Sequence, residues 1–177
     1  MNRIKTNFDG LFIIESIRVS DNRGYFEKKY DLSLREFMPK IYETYISSSN
    51  KNVLRGLHFQ RGMSAQSKLI TCIKGSFLDI AVDLRPKQPT FGKCFIYEIN
   101  SNTTKSLLIP GEFAHGVYAL EDDSILLNMA NNDYSPSDES GVNWNSIPEL
   151  GFIKTPTVSS KDSLLPSLED ILKNCRL

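Results

Sequence analysis

Lys68-Leu-Ile-Thr-Cys-Ile-Lys-Gly-Ser-Phe-Leu-Asp-Ile-Ala-Val-Asp83 holds two apolar runs, Lys68 to Lys74 and Ser76 to Asp83, parted only by the turn at Lys74-Gly75. Each is a short β-type run, punctuated by turn residues. The stretch reads as two strands joined by a loop or hairpin turn. The same texture recurs outward in both directions, at Leu11 to Glu15, Val53 to Phe59, Cys94 to Ile99, Thr104 to Ile109, Gly116 to Leu120 and Ser124 to Met129. Pro86 to Pro89, Asn100 to Asn102, Pro110-Gly111 and Glu121 to Asp123 supply turn and loop chemistry between them. Many short strands at even spacing predict a β-sandwich or barrel rather than a βαβ fold. Only Leu32 to Met38, with Asp31 placed to cap it, and Ser167 to Lys173 look helical.

The chain has 177 residues, enough for one domain with a real core and too few for two ordinary domains and a linker, so residues 1–177 are expected to form a single domain. Hydrophobic residues make up 40% and charged residues 24%, the balance of a water-soluble globular protein. Lys+Arg and Asp+Glu are both 21, so there is no bulk positive field to gather nucleic acid, and a bound phosphate must be met by a few local cations. No apolar run approaches the length of a membrane span and the N-terminus lacks a signal-peptide pattern, which predicts a cytoplasmic protein.

Cys72, Cys94 and Cys175 are odd in number and widely spaced, unlike a disulfide framework or a paired zinc motif, and the first two read as buried free thiols. His58 and His115 are the only histidines. A metal centre on this scaffold ordinarily asks for two or three histidines with a carboxylate, so no metal is expected.

Asn52-Val-Leu-Arg-Gly-Leu-His-Phe-Gln60 is the segment densest in chemistry. Strict alternation puts Leu54, Gly56, His58 and Gln60 on one face and Arg55, Leu57 and Phe59 on the other, unless a bulge at Gly56 resets the register. With a reset, a cation for phosphate and an imidazole for proton transfer point into one cavity. Without it, Arg55 is a surface residue and His58 a satisfied structural one. Lys68, Asp83, Arg85 and His115 add polar groups to otherwise apolar strands, and charges so placed need partners or a charged ligand.

Leu54-Arg-Gly-Leu-His-Phe-Gln60, Val82-Asp-Leu-Arg85 with Pro89-Thr-Phe-Gly92, Ile109-Pro110 with Phe113-Ala-His-Gly116, and Tyr134-Ser-Pro136 with Trp144 follow one another along the chain. Asp21-Asn-Arg-Gly-Tyr-Phe26 precedes them, and Ser160-Lys-Asp162 with Pro166 follows. In order and spacing this set resembles the motifs of the dTDP-4-dehydrorhamnose 3,5-epimerase family over almost the whole chain. The resemblance implies an all-β, cupin-like double-stranded β-helix (jelly roll) with one or two short helices, a homodimer joined through its N-terminal strands, and no metal or cofactor. It implies an isomerase acting on a nucleoside-diphosphate 4-keto-6-deoxy sugar during deoxysugar biosynthesis for surface polysaccharide.

By the match, His58 is the base that removes a proton next to the 4-ketone, Asp162 holds its other nitrogen, and Lys68 stabilises the enolate oxygen. Arg55, with Arg23 as a second cation, meets the diphosphate, and Gln60, His115, Tyr134, Asn128 and Asp83 fall at substrate-binding positions. Taken without the resemblance, Asp162 is an ordinary loop carboxylate and Lys68 a guard on an edge strand.

Three stretches depart from the family pattern. The family places its opposite-face acid, a tyrosine, where this chain has Asn128 followed by Met129, and an amide cannot replace a phenol whose pKa is near about 10. Tyr134, Tyr118 or water are the substitutes weighed for it. The family's Gln-Asp-Asn-His reads Glu43-Thr-Tyr-Ile46, and Lys28 stands where a carboxylate is usual, with Glu27 one place earlier. These changes point to a variant that inverts C3, C5 or both, on a dTDP-, CDP- or GDP-linked sugar. A keto-sugar isomerase or tautomerase, and a non-catalytic sugar-nucleotide binding protein, are the competing readings. A binder has no need of a base with its orienting carboxylate, so His58, Lys68 and Asp162 together favour an enzyme.

Overall fold

The computed structural model describes residues 1–175. Two antiparallel sheets face each other. The first contains β1 (Asn2–Lys5), β2 (Phe12–Glu15), β5 (Glu43–Ser49), β7 (Lys68–Lys74), β10 (Lys105–Ile109) and β12 (Ser124–Ala130), in the order β1-β2-β10-β7-β12-β5. The second contains β6 (Leu54–Gln60), β8 (Ser76–Asp83), β9 (Cys94–Asn100), β11 (Phe113–Ala119) and β13 (Glu139–Gly141), in the order β13-β6-β11-β8-β9. A separate hairpin joins β3 (Arg18–Asp21) to β4 (Gly24–Glu27). This is the jelly roll expected of an all-β chain, with α1 (Ser160–Ser163) and α2 (Leu168–Cys175) appended near its end.

The two apolar runs around Lys74-Gly75 become β7 and β8, which lie in different sheets. They are not a hydrogen-bonded hairpin: the turn carries the chain across the core. Gly75 has φ +73°, and a Cβ there would stand 2.2 Å from Ser124 Oγ, so glycine is required on two counts. Between the sheets lie Leu11, Ile70, Phe77, Leu107, Phe113, Val117 and Leu126. Fully buried side chains of this kind contribute roughly 1.5–3 kcal/mol each.

Both sheets are also covered on their outer faces. Leu54, Leu57, Ile80 and Val82 pack under Ile147, Leu150, Ile153 and the α2 residues Leu168 and Ile171. Leu34 and Met38 cover Ile14, Leu69 and Leu108. Coverage on two sides explains why β7 and β8 read as nearly continuous apolar runs rather than as a clean alternation.

The helix expected over Leu32–Met38 is confined to a 3-10 turn, Leu32–Leu34, capped by Asp31 and extended by a hydrogen bond from Met38 N–H to the Leu34 carbonyl. So short a segment gains too little from propagation to offset helix nucleation, and its two apolar side chains serve as plugs instead. The C-terminal helix forms as Leu168–Cys175, with the Ser167 hydroxyl accepting from the Asp170 N–H. Cys72 is buried and Cys94 partly so, and burial pushes their thiols up to about 11 and about 12.

Candidate active site

The irregularity of β6 determines where its side chains point. His58 pairs with His115 and Arg55 with Val117, so three steps along β6 oppose two along β11. That bulge resets the alternation, and Arg55 and His58 line the same cavity. Gly56 lies between them at φ +103°, where a Cβ would fall 2.6 Å from the His115 carbonyl oxygen. Leu57 turns the other way, into the core beneath the C-terminal segment.

The C-terminal segment reaches this place by pairing with the start of β6. Thr157 donates its N–H to the Asn52 carbonyl (2.8 Å) and accepts from the Leu54 N–H (2.9 Å). Ser159 then caps α1 by accepting from the Asp162 N–H at 3.0 Å. Asp162, only 4% exposed, places Oδ1 2.8 Å from His58 Nε2, while its Oδ2 accepts the Gly56 N–H at 3.0 Å. Both oxygens are engaged, which fixes the imidazole and leaves Nδ1 as the nitrogen available for proton exchange.

The cavity has two lobes, of about 320 Å³ and about 620 Å³, that share Tyr45, His58, Lys68 and His115. Lys68 enters from β7 on the first sheet, across from His58. Its ammonium has no ion pair or hydrogen bond among the described residues. Burial lowers its pKa, opposed in part by the charges of Glu139, Glu43 and Asp79. A desolvated cation without a protein partner is suited to an oxyanion supplied by a ligand.

His115 also lines both lobes, but its Nε2 is 3.0 Å and 3.1 Å from the two carboxylate oxygens of Asp79, a residue with no exposed surface. Arg55 lines the larger lobe, and its guanidinium donates to Ser49 Oγ (2.9 Å) and the Ser48 carbonyl (2.8 Å). Asn128, 7% exposed, faces the same lobe. Gln60 and Tyr134 line the smaller lobe. Gln60 donates to the Ser64 and Asp133 carbonyls and accepts from the Ser135 N–H, which ties down the loop bearing Tyr134.

Asp83 and Arg23, expected at substrate-binding positions, do not line the cavity. Asp83, at the end of β8, is fully buried, accepting from Arg85 Nε (2.8 Å), Arg85 Nη2 (2.7 Å) and Thr90 Oγ1 (2.6 Å). Burial would raise its pKa, but these donors outweigh that and lower it. Asp83 anchors the loop to β9, and the Arg85 guanidinium covers the Phe113 ring at 4.6 Å. Arg23 lies at the β3–β4 turn, its side chain 84% exposed and paired with Asp21.

Asp79, Glu139, Lys161 and Tyr45 belong to the cavity or its support and were not singled out in the sequence. Asp79 had a legible signal, a carboxylate inside an apolar strand that demands a partner. Glu139 accepts from Lys161 and, at 2.5 Å, from the Tyr134 hydroxyl. Burial raises its pKa, and those two donors overcome that and lower it. The Asp79–His115 and Glu139–Lys161 contacts join segments distant in sequence, so no local pattern announces them.

A profile of the family described as dTDP-4-dehydrorhamnose 3,5-epimerase matches residues 5–170. An enzyme of that name from Salmonella typhimurium is 39% identical over 176 residues, covering 96% of each chain. Among solved structures, the enzyme of that name from Bacillus anthracis, with TDP and PPi bound, superposes with a TM-score of 0.86 at 34% identity, covering 94% of this chain and 98% of its own. A dTDP-6-deoxy-D-glucose-3,5-epimerase from Legionella pneumophila, in complex with dTDP-4-keto-L-rhamnose, has a TM-score of 0.88 at 30% identity, covering 98% and 96%. Matches of this extent place the chain, from its first strands to α2, in the dTDP-4-dehydrorhamnose 3,5-epimerase family.

Proposed function

We propose that this protein is a cofactor-independent epimerase that inverts C3, C5 or both in a nucleoside-diphosphate 4-keto-6-deoxy sugar. The observation that carries the reading is the His58–Asp162 pair, 2.8 Å apart, sharing a cavity with the Lys68 ammonium, which has no ion pair or hydrogen bond among the described residues. A ketone held between them loses an adjacent proton to His58 while negative charge collects on the carbonyl oxygen beside Lys68. One good donor at such an oxygen contributes about 3 kcal/mol to the transition state. Asp162 keeps the imidazole oriented and stabilises the imidazolium that forms.

Arg55 is the cation for the diphosphate in this reading, and Tyr134, Gln60, His115 and Asn128 shape the walls around sugar and nucleotide. Arg23 reaches a substrate only from a second subunit. The exposed Ile17, Val19, Tyr25 and Phe26 on and beside its hairpin support a homodimer that covers them. The core shared by both sheets supports a single domain, and a cytoplasmic location fits a nucleotide-linked substrate. The ligands named for the relatives make dTDP-linked sugars the first to try.

The test is NMR of protein mixed with dTDP-, CDP- and GDP-linked 4-keto-6-deoxy sugars in heavy water, with His58→Asn as control. Deuterium entering C3 or C5 with inversion, and lost in the control, is the expected result. A wild-type protein that exchanges neither position in any of the three sugars would overturn the reading.

A further inference from the structure

Inverting a carbon next to a ketone takes a proton carrier on each face of that carbon, since a lone base returns the proton to the side it left. His58 serves one face from β6. The wall opposite belongs to the first sheet, where β5 and β12 pair with Tyr45 directly across from Asn128. Alternation along β5 sends Glu43, Tyr45 and Ser47 to one side, and Tyr45 meets both lobes of the cavity together with Lys68 and His58.

The other tyrosines weighed for the task are committed elsewhere. Tyr118 donates its hydroxyl to Asn52 Oδ1 at 2.7 Å and lines neither lobe. Tyr134 donates to Glu139 at 2.5 Å from a half-exposed loop. The Tyr45 hydroxyl has no hydrogen-bond partner among the described residues, and the ring, 42% exposed, stands at the cavity wall. The amide of Asn128 is likewise without a partner and is small. A phenol one strand over from position 128 has moved by only about 5 Å of backbone, a displacement that a long side chain can absorb.

We propose that Tyr45 is the acid that protonates the sugar carbon from the face opposite His58. This rests on the epimerase reading above and adds to it the second catalytic residue. His58 takes the proton as the carbon–hydrogen bond breaks, and the electron pair passes into the enolate held by Lys68. The Tyr45 O–H then breaks toward the opposite face as the new carbon–hydrogen bond forms. The phenolate is reprotonated by solvent through the open lobe, and His58 releases its proton to solvent. Partial burial against the cavity wall and the nearby Glu43 carboxylate raise the Tyr45 pKa, so the phenol holds its proton at neutral pH.

Tyr45→Phe keeps the ring and removes no hydrogen bond, so its thermal unfolding should match that of the wild type. In heavy water the variant should still place deuterium on the substrate carbon through His58, without inversion, while the inversion rate falls by roughly 10²–10⁴-fold. Inversion at the wild-type rate would overturn the assignment and leave the epimerase reading standing. Exchange and inversion falling together would also overturn it, reducing Tyr45 to a shaping role. A wild-type protein silent toward all three sugars removes the epimerase reading and this assignment together.

Discussion

Asp162 and His58 stand 104 positions apart in the chain and 2.8 Å apart in space. The carboxylate that orients the imidazole also receives the Gly56 N–H from the bulge that aims His58 into the cavity. One buried side chain thus holds both the base and the backbone that presents it. Asp162→Asn leaves only one oxygen for two donors. The inversion rate should fall by roughly 10²–10⁴-fold, the range of a general base that has lost its positioning. Unfolding stability should drop by about 1–3 kcal/mol, the cost of a buried donor left unpaired. Solvent-exchange NMR and urea unfolding on the same preparation measure the two losses.

Lys68 sets the alkaline side of the activity profile. Burial moves its pKa below the usual lysine value, so the cation at the enolate oxygen disappears as pH rises through that lowered value. The rate should therefore fall at a pH below about 10.4, where an unperturbed lysine would titrate. Lys68→Arg should retain measurable activity and lose that alkaline fall, because guanidinium does not deprotonate in this range. Lys68→Met should be slow at every pH. Profiles of kcat/KM for the three proteins distinguish these outcomes.

Gly56 tests the bulge itself. A Cβ there would sit 2.6 Å from the His115 carbonyl and 2.9 Å from Gly116 Cα, both backbone atoms, at a φ of +103°. Neither neighbour can rotate away, so Gly56→Ala should destabilise the fold by more than about 2 kcal/mol, as strain and overpacking together do. Equilibrium unfolding in urea reads the loss directly. Stability within about 0.5 kcal/mol of wild type, the range of an indifferent surface change, would show that β6 can rearrange.

The sequence made the strand texture legible because apolar runs and turn residues are local signals. It yielded most of β2, β6 to β10 and β12, but began β11 at Gly116 rather than Phe113, since Phe113-Ala-His115 follows a turn without alternating cleanly. It did not yield β5, whose Glu43–Ser49 is largely polar and exposed and is held in place by pairing with β12. That omission hid Tyr45, because only the pairing reveals that it opposes Asn128. His58, Lys68 and Asp162 were legible through motif order, while the partnership of His115 with Asp79 depended on a cross-strand contact that no spacing encodes. Asp83 illustrates the converse: its charge in an apolar strand was conspicuous, but its partner is Arg85 two residues on rather than a ligand.

Asp83 should therefore behave as an anchor for the fold. Asp83→Asn removes one charge of a buried, hydrogen-bonded pair and should cost about 3 kcal/mol of stability, with KM little changed because the residue lies outside the cavity. The sign of the pH effect follows from its lowered native pKa. Above the unfolded carboxylate value, about 3.9, the native ion pair contributes fully, and its contribution fades as pH falls through the native value. Wild type and variant should differ most at neutral pH and converge in acid, which unfolding midpoints taken from pH 7 downward can measure. A variant with native stability and a raised KM would return Asp83 to the substrate.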